Sequence, residues 1–186
     1  MSPVPDPDQA SRSSRAEGVL ASLDATRALA RQLAALLEPG FRLYLSGDLG
    51  AGKTTLVREL LRALGHTGRV ASPTFALMEP YNLSRFELHH FDFYRLNNPD
   101  AWRDAGFEES FDGQAVVIVE WPEQAGNGLP TPDLRIELRG DPSLADNERL
   151  LVIEAGGARG HACLSALRDA GFCAMARSPD SDCAGR

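Results

Sequence analysis

The stretch GDLGAGKTT, residues 47–55, constrains this chain more than any other part of its sequence. It satisfies the pattern Gly-x-x-x-x-Gly-Lys-Thr, in which a glycine-rich loop turns backbone N–H groups toward phosphate oxygens and the next helix adds its dipole. In this pattern Lys53 contacts the β- and γ-phosphates and the Thr54 hydroxyl is a ligand of Mg²⁺. The predicted nucleotide-contacting residues of the loop are Asp48, Leu49, Gly50, Ala51, Gly52, Lys53, Thr54 and Thr55.

The use of lysine in this chain supports the same interpretation. Lysine and arginine together number 19, and Lys53 is the single lysine among them. Lysine carries a compact ammonium on a flexible stem, whereas arginine carries a planar fork of donors. The one lysine of the chain thus stands at the position where the motif requires an ammonium group between phosphates. This supports a working phosphate loop over an accidental match.

The residues around the loop predict the structural context that the motif requires. The apolar run at 41–46 predicts a buried strand that ends at Gly47, and leucines at helical spacing predict a helix over 53–64. A helix is also predicted between Ser22 and Pro39, and the run at 115–121 predicts a central strand.

The remaining patterns predict how the sheet is extended. The segments TFALMEPYNL and RFELHHFDFYRL predict one antiparallel pair of strands, and DLRIELRG and ERLLVIEA predict another. Short helical turns are predicted over 98–111, and a closing helix over 161–171. The fold class is therefore α/β, a P-loop NTPase-like mixed sheet with a parallel centre and antiparallel hairpin additions, flanked by helices. We expect a disordered tail at 1–17, the ATPase domain at 18–170 and a flexible tail at 171–186.

A magnesium–nucleotide site also needs a carboxylate at the end of a neighbouring strand. Glu120 ends the most apolar strand, and Asp92 lies on a strand where it shares a face with His90 by period-2 alternation. Either carboxylate can hold the metal, directly or through water; the more central strand favours Glu120. Adjacent histidines on a strand point to opposite faces, so His89 and His90 are assigned to packing or hydrogen bonding.

Two further residues are candidates on local pattern. Nucleotide switches use a threonine from a loop after the phosphate-loop helix to reach the metal and the γ-phosphate, and Ser72 and Thr74 stand in such a loop. Trp121 follows Glu120 at the strand end. It is either a core aromatic or a partly exposed ring that stacks on a base or a partner.

Composition excludes several kinds of partner. The net charge is −7, which disfavours direct binding to DNA, RNA or an anionic membrane. No apolar run approaches the roughly 20 residues that span a bilayer. The first residues lack the apolar core of a secretory signal, so we expect a cytoplasmic protein.

Motifs that are missing narrow the class of nucleotide enzyme. Because Lys53 is the only lysine, no Asn-Lys-x-Asp motif for guanine exists. The arginines are scattered, without the compact lid that small kinases commonly carry. A minimal ATPase is therefore favoured over two alternatives: a small-molecule kinase and a nucleotide-dependent binding module that does not hydrolyse.

Four separate motifs resemble one known family. The segments YLSGDLGAGKTTLVRELLRALG, SPTFALMEPY, HHFDFYRL and VEWPEQ followed by LP stand in the order found in the TsaE (YjeE) family. Its members are bacterial ATPases required for the threonylcarbamoyladenosine modification of tRNA at adenosine 37. The resemblance extends from about Asp24 to Arg168.

The resemblance implies roles for individual residues. Glu120 corresponds to the family's metal-associated acid, Asp92 to a position needed for activity, and Thr74 to the switch-loop threonine. Trp121 corresponds to the aromatic beside the nucleotide, and residues from Leu23 to Thr26 lie near the adenine.

The resemblance also implies cofactors and partners. The protein is expected to use ATP, ADP and Mg²⁺ and to bind a heterodimer of TsaB and the transferase TsaD. ATP binding would support that complex and hydrolysis would reset it. Contact with tRNA would then be indirect, and intrinsic ATPase activity weak.

Overall fold

The computed structural model describes residues 14–175, and the strands within that range form a single eight-stranded sheet. The strands are β1 (Arg15–Leu20), β2 (Arg42–Ser46), β3 (Met78–Asn82), β4 (Glu87–Asp92), β5 (Val116–Glu120), β6 (Leu134–Arg139), β7 (Arg149–Ala155) and β8 (Ala174–Met175). The helices are α1 (Leu23–Leu36), α2 (Lys53–Ala63), α3 (Ala101–Asp104) and α4 (Gly157–Asp169). Two 3₁₀ helices span Phe107–Phe111 and Pro122–Ala125.

The order of strands in the sheet is β3-β4-β5-β2-β6-β7-β1-β8. The four central strands, β4, β5, β2 and β6, are parallel to one another. The pairs β3–β4 and β6–β7 are antiparallel, as the sequence predicts. The predicted mixed sheet with a parallel centre and antiparallel additions is confirmed.

Both faces of the central sheet are covered, and all five residues of β5 are buried, which explains why that strand is apolar up to Glu120. Alternate residues of one strand enter different clusters: Leu43 and Leu45 pack with the long helices, whereas Tyr44 packs on the opposite face. That opposite face is covered by aromatic residues of the 93–111 segment, including Trp102 and Phe111. A cavity lies at the carboxyl ends of the parallel strands.

The helix α1 begins and ends where its sequence indicates. The Ser22 hydroxyl caps it by accepting a hydrogen bond of 3.2 Å from the Ala25 N–H, and Leu37 at its end has extended backbone. Leu29 and Leu33 are fully buried on its inner face. Pro39 and Gly40 follow within three residues and prevent continuation.

The domain boundaries of the sequence analysis need correction at both ends. Residues 15–17, assigned to the N-terminal tail, belong to β1, which lies between β7 and β8. The segment RAEGVL is too polar to be recognised as a strand, and its place in the sheet depends on partners distant in sequence. One such contact is the ion pair of 2.9 Å between Arg15 and Glu154.

The C-terminal boundary moves for the same reason. Residues 171–175, assigned to the second tail, include β8, which pairs with β1. The rest of the two predicted tails, 1–13 and 176–186, lies outside the described residues. Within residues 14–175, no helix combines the length and apolar character that crossing a membrane requires.

Candidate nucleotide site

The phosphate-loop residues connect the end of β2 to the start of α2. Gly47, Gly50 and Gly52 all have positive φ angles, of 126°, 80° and 107°. Side chains at such angles are strained, so the loop shape depends on these glycines. Gly52 directly precedes α2, whose first residues are therefore Lys53 and Thr54.

Gly47 has a second requirement besides its backbone angle. A Cβ atom at this position would collide with the carbonyl oxygen of Leu138 on β6, whereas a Cβ at Gly50 would meet no atom within 4 Å. The loop therefore packs directly against the neighbouring strand at Gly47.

We expect Gly47→Ala to lower the free energy of unfolding by roughly 2–4 kcal/mol, because backbone strain and a backbone collision combine. Gly50→Ala also places a side chain at a positive φ, of 80°, but without the collision, and should lower the free energy of unfolding by about 1 kcal/mol. Urea denaturation of both variants measures the difference. Equal losses of unfolding free energy in the two variants would show that the close approach of Gly47 to Leu138 does not contribute to stability.

Lys53 is buried within its own loop, with 4% of its surface exposed. Its Nζ donates hydrogen bonds to the carbonyl oxygens of Gly47 at 2.6 Å and Asp48 at 2.9 Å. The same ammonium lies 3.8 Å from the centre of the Trp121 ring. Burial lowers the pKa of Lys53 below its ordinary value, although the nearby charge of Glu120 raises it.

Thr54, Glu120 and His90 form a chain of hydrogen bonds at the floor of the site. The Thr54 hydroxyl donates to Oε2 of Glu120 at 2.9 Å, and Nε2 of His90 lies 2.9 Å from Oε1. Glu120 is 2% exposed and His90 is fully buried. Each carboxylate oxygen therefore has its own partner.

Asp92 holds the loop that precedes β3. Its Oδ2 accepts hydrogen bonds from the hydroxyls of Ser72 and Thr74, the latter at 2.8 Å, and its Oδ1 accepts the Tyr94 N–H at 2.9 Å. The two hydroxyls also lie within 2.6 Å of each other. In the sheet, Asp92 is the register partner of Glu120, so both acids stand at the same edge.

These groups surround a cavity of about 260 Å³ at the carboxyl ends of the parallel strands. This is where nucleotide sites in open α/β sheets occur. Trp121 forms part of its wall, with a positive φ of 58° and its ring 5.1 Å from that of Tyr94. The lining residues are Leu49, Gly50, Gly52, Lys53, Thr54, Thr55, Ser72, Thr74, Asp92, Tyr94, Glu120 and Trp121.

Most of the residues predicted for the site thus lie in one cavity, and three predicted residues lie around it. Leu23 lines a neighbouring cavity of about 280 Å³, together with Thr26, Thr55 and Ala51. Asp48 lies on another side of the loop, facing the segment between β6 and β7. The loop therefore separates the carboxylate side of the site from the side where Leu23 and Thr26 stand.

His90 and Tyr94 belong to the site, and the sequence did not identify them as site residues. Period-2 alternation places both on the face of Asp92, which was the available signal for them. The partner of His90 could not be read from its own strand, because Glu120 lies on β5, 30 residues further along the chain.

The chemistry of the donors fits a hard cation that takes few protein ligands. No group of three His, Cys, Asp or Glu side chains within residues 14–175 could hold a metal ion. A hydroxyl and one carboxylate beside a phosphate loop, as at Thr54 and Glu120, match Mg²⁺, which keeps several waters and binds substrate phosphates.

Comparison with known proteins identifies relatives over most of this region. The profile of the family described as "Threonylcarbamoyl adenosine biosynthesis protein TsaE" matches residues 20–149. The protein named tRNA threonylcarbamoyladenosine biosynthesis protein TsaE from Bacillus subtilis is 40% identical over 134 residues, which are 72% of this chain and 82% of that protein. The protein of that name from Haemophilus influenzae is 41% identical over 101 residues, 54% of this chain and 64% of that protein.

A solved structure agrees with the sequence relatives. The crystal structure of YdiB from Bacillus subtilis superimposes with a TM-score of 0.70 and 32% sequence identity, over 84% of this chain and 95% of that one. The range of this chain that the family profile matches, residues 20–149, includes the phosphate loop, Asp92 and Glu120. The chain therefore belongs to the TsaE family of tRNA threonylcarbamoyladenosine biosynthesis.

Proposed function

We propose that this protein is a magnesium-dependent accessory ATPase of the tRNA threonylcarbamoyladenosine modification at adenosine 37, acting in the cytoplasm. It binds the TsaB–TsaD heterodimer and uses ATP binding and hydrolysis to support and reset that complex. The observation that carries the ATPase assignment is the Thr54–Glu120 hydrogen bond beside Lys53. It brings a metal-binding pair to the phosphate loop.

Lys53 is the group that meets the triphosphate. Its ammonium now donates to two carbonyls of its own loop. Among the described residues it is the only cation that lines the cavity, so it carries the positive charge that phosphate oxygens require. The adjacent backbone N–H groups of the loop and the start of α2 complete the anion site. Leu23 and Thr26, across the loop, are assigned to the adenine side.

Thr54 and Glu120 are assigned to magnesium. When bound, Mg²⁺ neutralises charge that develops on the β- and γ-phosphate oxygens. Thr54 presents its hydroxyl oxygen, and Glu120, oriented by two hydrogen bonds, presents its carboxylate either directly or through water. The hydrogen bond between them favours Glu120 over Asp92 as the acid associated with the metal.

Asp92 then has a different task. Its carboxylate accepts three hydrogen bonds from the loop and strand around it, and so it holds Ser72 and Thr74 at the edge of the cavity. Thr74 is the residue of that loop that reaches toward the γ-phosphate, as in other nucleotide switches. Loss of Asp92 would release the loop.

The composition of the cavity supports weak hydrolysis by the protein alone. Within residues 14–175, no arginine lines the cavity. Arginine supplied by a partner is worth about 10³–10⁵ in rate for enzymes of this type. A dependence of ATP hydrolysis on the TsaB–TsaD heterodimer is consistent with the lack of an arginine among the described residues that line the cavity. The net charge of −7 is consistent with contact to tRNA through the heterodimer.

The experiment that tests the ATPase assignment is a single-turnover assay for ADP, with and without TsaB–TsaD. We expect slow ADP formation alone and faster formation with the heterodimer. No ADP in either case would favour a passive nucleotide-binding module. Transfer of the γ-phosphate to an added metabolite without TsaB–TsaD would instead identify a small-molecule kinase.

A further inference from the structure

His90 is a fully buried polar side chain that does not line the nucleotide cavity. It lies on β4, in the interior of the sheet, and its Nε2 is 2.9 Å from Oε1 of Glu120 on β5. A buried hydrogen bond to a carboxylate is a strong one, because neither group has water as an alternative partner.

The chemistry of the two groups fixes the direction of this hydrogen bond. An ionised carboxylate only accepts, so the hydrogen stands on Nε2 of His90. Nδ1 is buried and has no hydrogen-bond partner among the described residues. Among the described residues, the imidazole therefore has one hydrogen-bond partner, the carboxylate of Glu120.

The consequence for Glu120 is a defined orientation. With Oε1 held by His90, Oε2 faces the Thr54 hydroxyl at 2.9 Å. Without His90, the carboxylate could rotate and Oε1 would remain buried without a partner. Groups that hydrogen-bond a metal-associated carboxylate typically contribute 10- to 100-fold in metal affinity or activity.

We infer that His90 is a positioning residue, which orients the Glu120 carboxylate so that Oε2 faces Thr54 and the nucleotide cavity. This inference rests on the proposed function, since it concerns the acid assigned to magnesium. His90 itself touches neither nucleotide nor metal and acts through Glu120.

The test compares substitutions that retain or remove a donor near Nε2. His90→Gln can place an amide N–H near the position of Nε2, whereas His90→Asn is too short and His90→Leu has no donor. His89→Leu is the matched control, because His89 is the neighbouring histidine and its Nε2 contacts Glu87 instead. Calorimetric titration of Mg²⁺ into the ADP complex measures metal affinity, and ADP titration in EDTA measures metal-free affinity.

For His90→Leu and His90→Asn we expect Mg²⁺ to bind the ADP complex about 10- to 100-fold more weakly, with ADP affinity in EDTA within about threefold of wild type. His90→Gln should recover most of the loss, and His89→Leu should match wild type. The same pattern should appear in kcat for hydrolysis rather than in KM.

Two results would overturn the assignment of His90. One is wild-type Mg²⁺ affinity in His90→Asn, and the other is a defect in His90→Gln as large as in His90→Asn at equal melting temperature. If His90→Leu fails to fold, the comparison of Mg²⁺ affinity between His90→Gln and His90→Asn still tests the assignment. Wild-type protein whose nucleotide binding is independent of Mg²⁺ would overturn the proposed function together with this inference.

Discussion

Replacing Lys53 with alanine is expected to weaken ATP binding by about 100-fold or more and to abolish ATP-dependent support of tRNA modification. A hydrogen bond to a charged group contributes about 1.5–3 kcal/mol, and 1.4 kcal/mol corresponds to a factor of ten in affinity. In the part of the chain that the structure describes, Lys53 is the one cation that lines the cavity, so no other described residue there replaces its charge.

The fold should tolerate this substitution. Lys53 belongs to neither buried apolar cluster, so its replacement should leave the packing of the core unchanged. Calorimetric titration with ATP measures the loss of affinity, and circular dichroism checks the fold. Arg31→Ala is the control, since it removes one positive charge from an exposed position on α1, outside the cavity. ATP affinity of Lys53→Ala equal to that of Arg31→Ala would contradict the phosphate-loop assignment.

The second large effect is expected for Glu120→Gln. We expect ATP hydrolysis to fall about 100-fold, because the amide keeps the shape of the side chain and loses the charge that associates with Mg²⁺. The amide oxygen can still accept from Thr54, and its N–H can still meet the His90 ring in the other tautomer. The protein should therefore fold normally and bind ATP in EDTA as wild type does.

The measurement is the rate of ADP formation with TsaB–TsaD at saturating Mg²⁺. Glu123→Gln provides a matched control, since it removes an acid near the same site that accepts a hydrogen bond of 3.4 Å from the Ser46 hydroxyl rather than from Thr54. We expect that control to stay within about threefold of wild type, as is usual for a more exposed charge. Hydrolysis by Glu120→Gln at the wild-type rate would exclude Glu120 as the metal-associated acid.

The phosphate loop, its flanking strand and helix, and the strand that carries Glu120 were predictable, because each depends on local pattern. The run at 115–119 is apolar throughout since β5 is buried on both faces, and leucines at helical spacing mark α2. The four parallel strands then bring Asp92 and Glu120 to the same edge of the sheet as Lys53.

The features that escaped prediction depend on partners far away in sequence. The strand β1 pairs with β7 and β8, and its own six residues are too polar to indicate a strand. The contact between His90 and Glu120 likewise depends on the register of β4 against β5, which no local pattern fixes. The role of Asp92, as a metal ligand or as a residue that holds the loop, could not be predicted for the same reason. Its hydrogen bonds to Ser72 and Thr74 join a strand to a loop that lies 18 to 20 residues earlier in the chain.

The most direct test of the account is reconstitution of tRNA modification over several turnovers, with TsaB, TsaD and a supply of threonylcarbamoyl donor. The account predicts repeated turnover with the wild-type chain and ATP, and product limited to about one equivalent of the heterodimer without the chain or with Lys53→Ala. Sustained turnover without this protein, or undiminished turnover with Lys53→Ala, would contradict it.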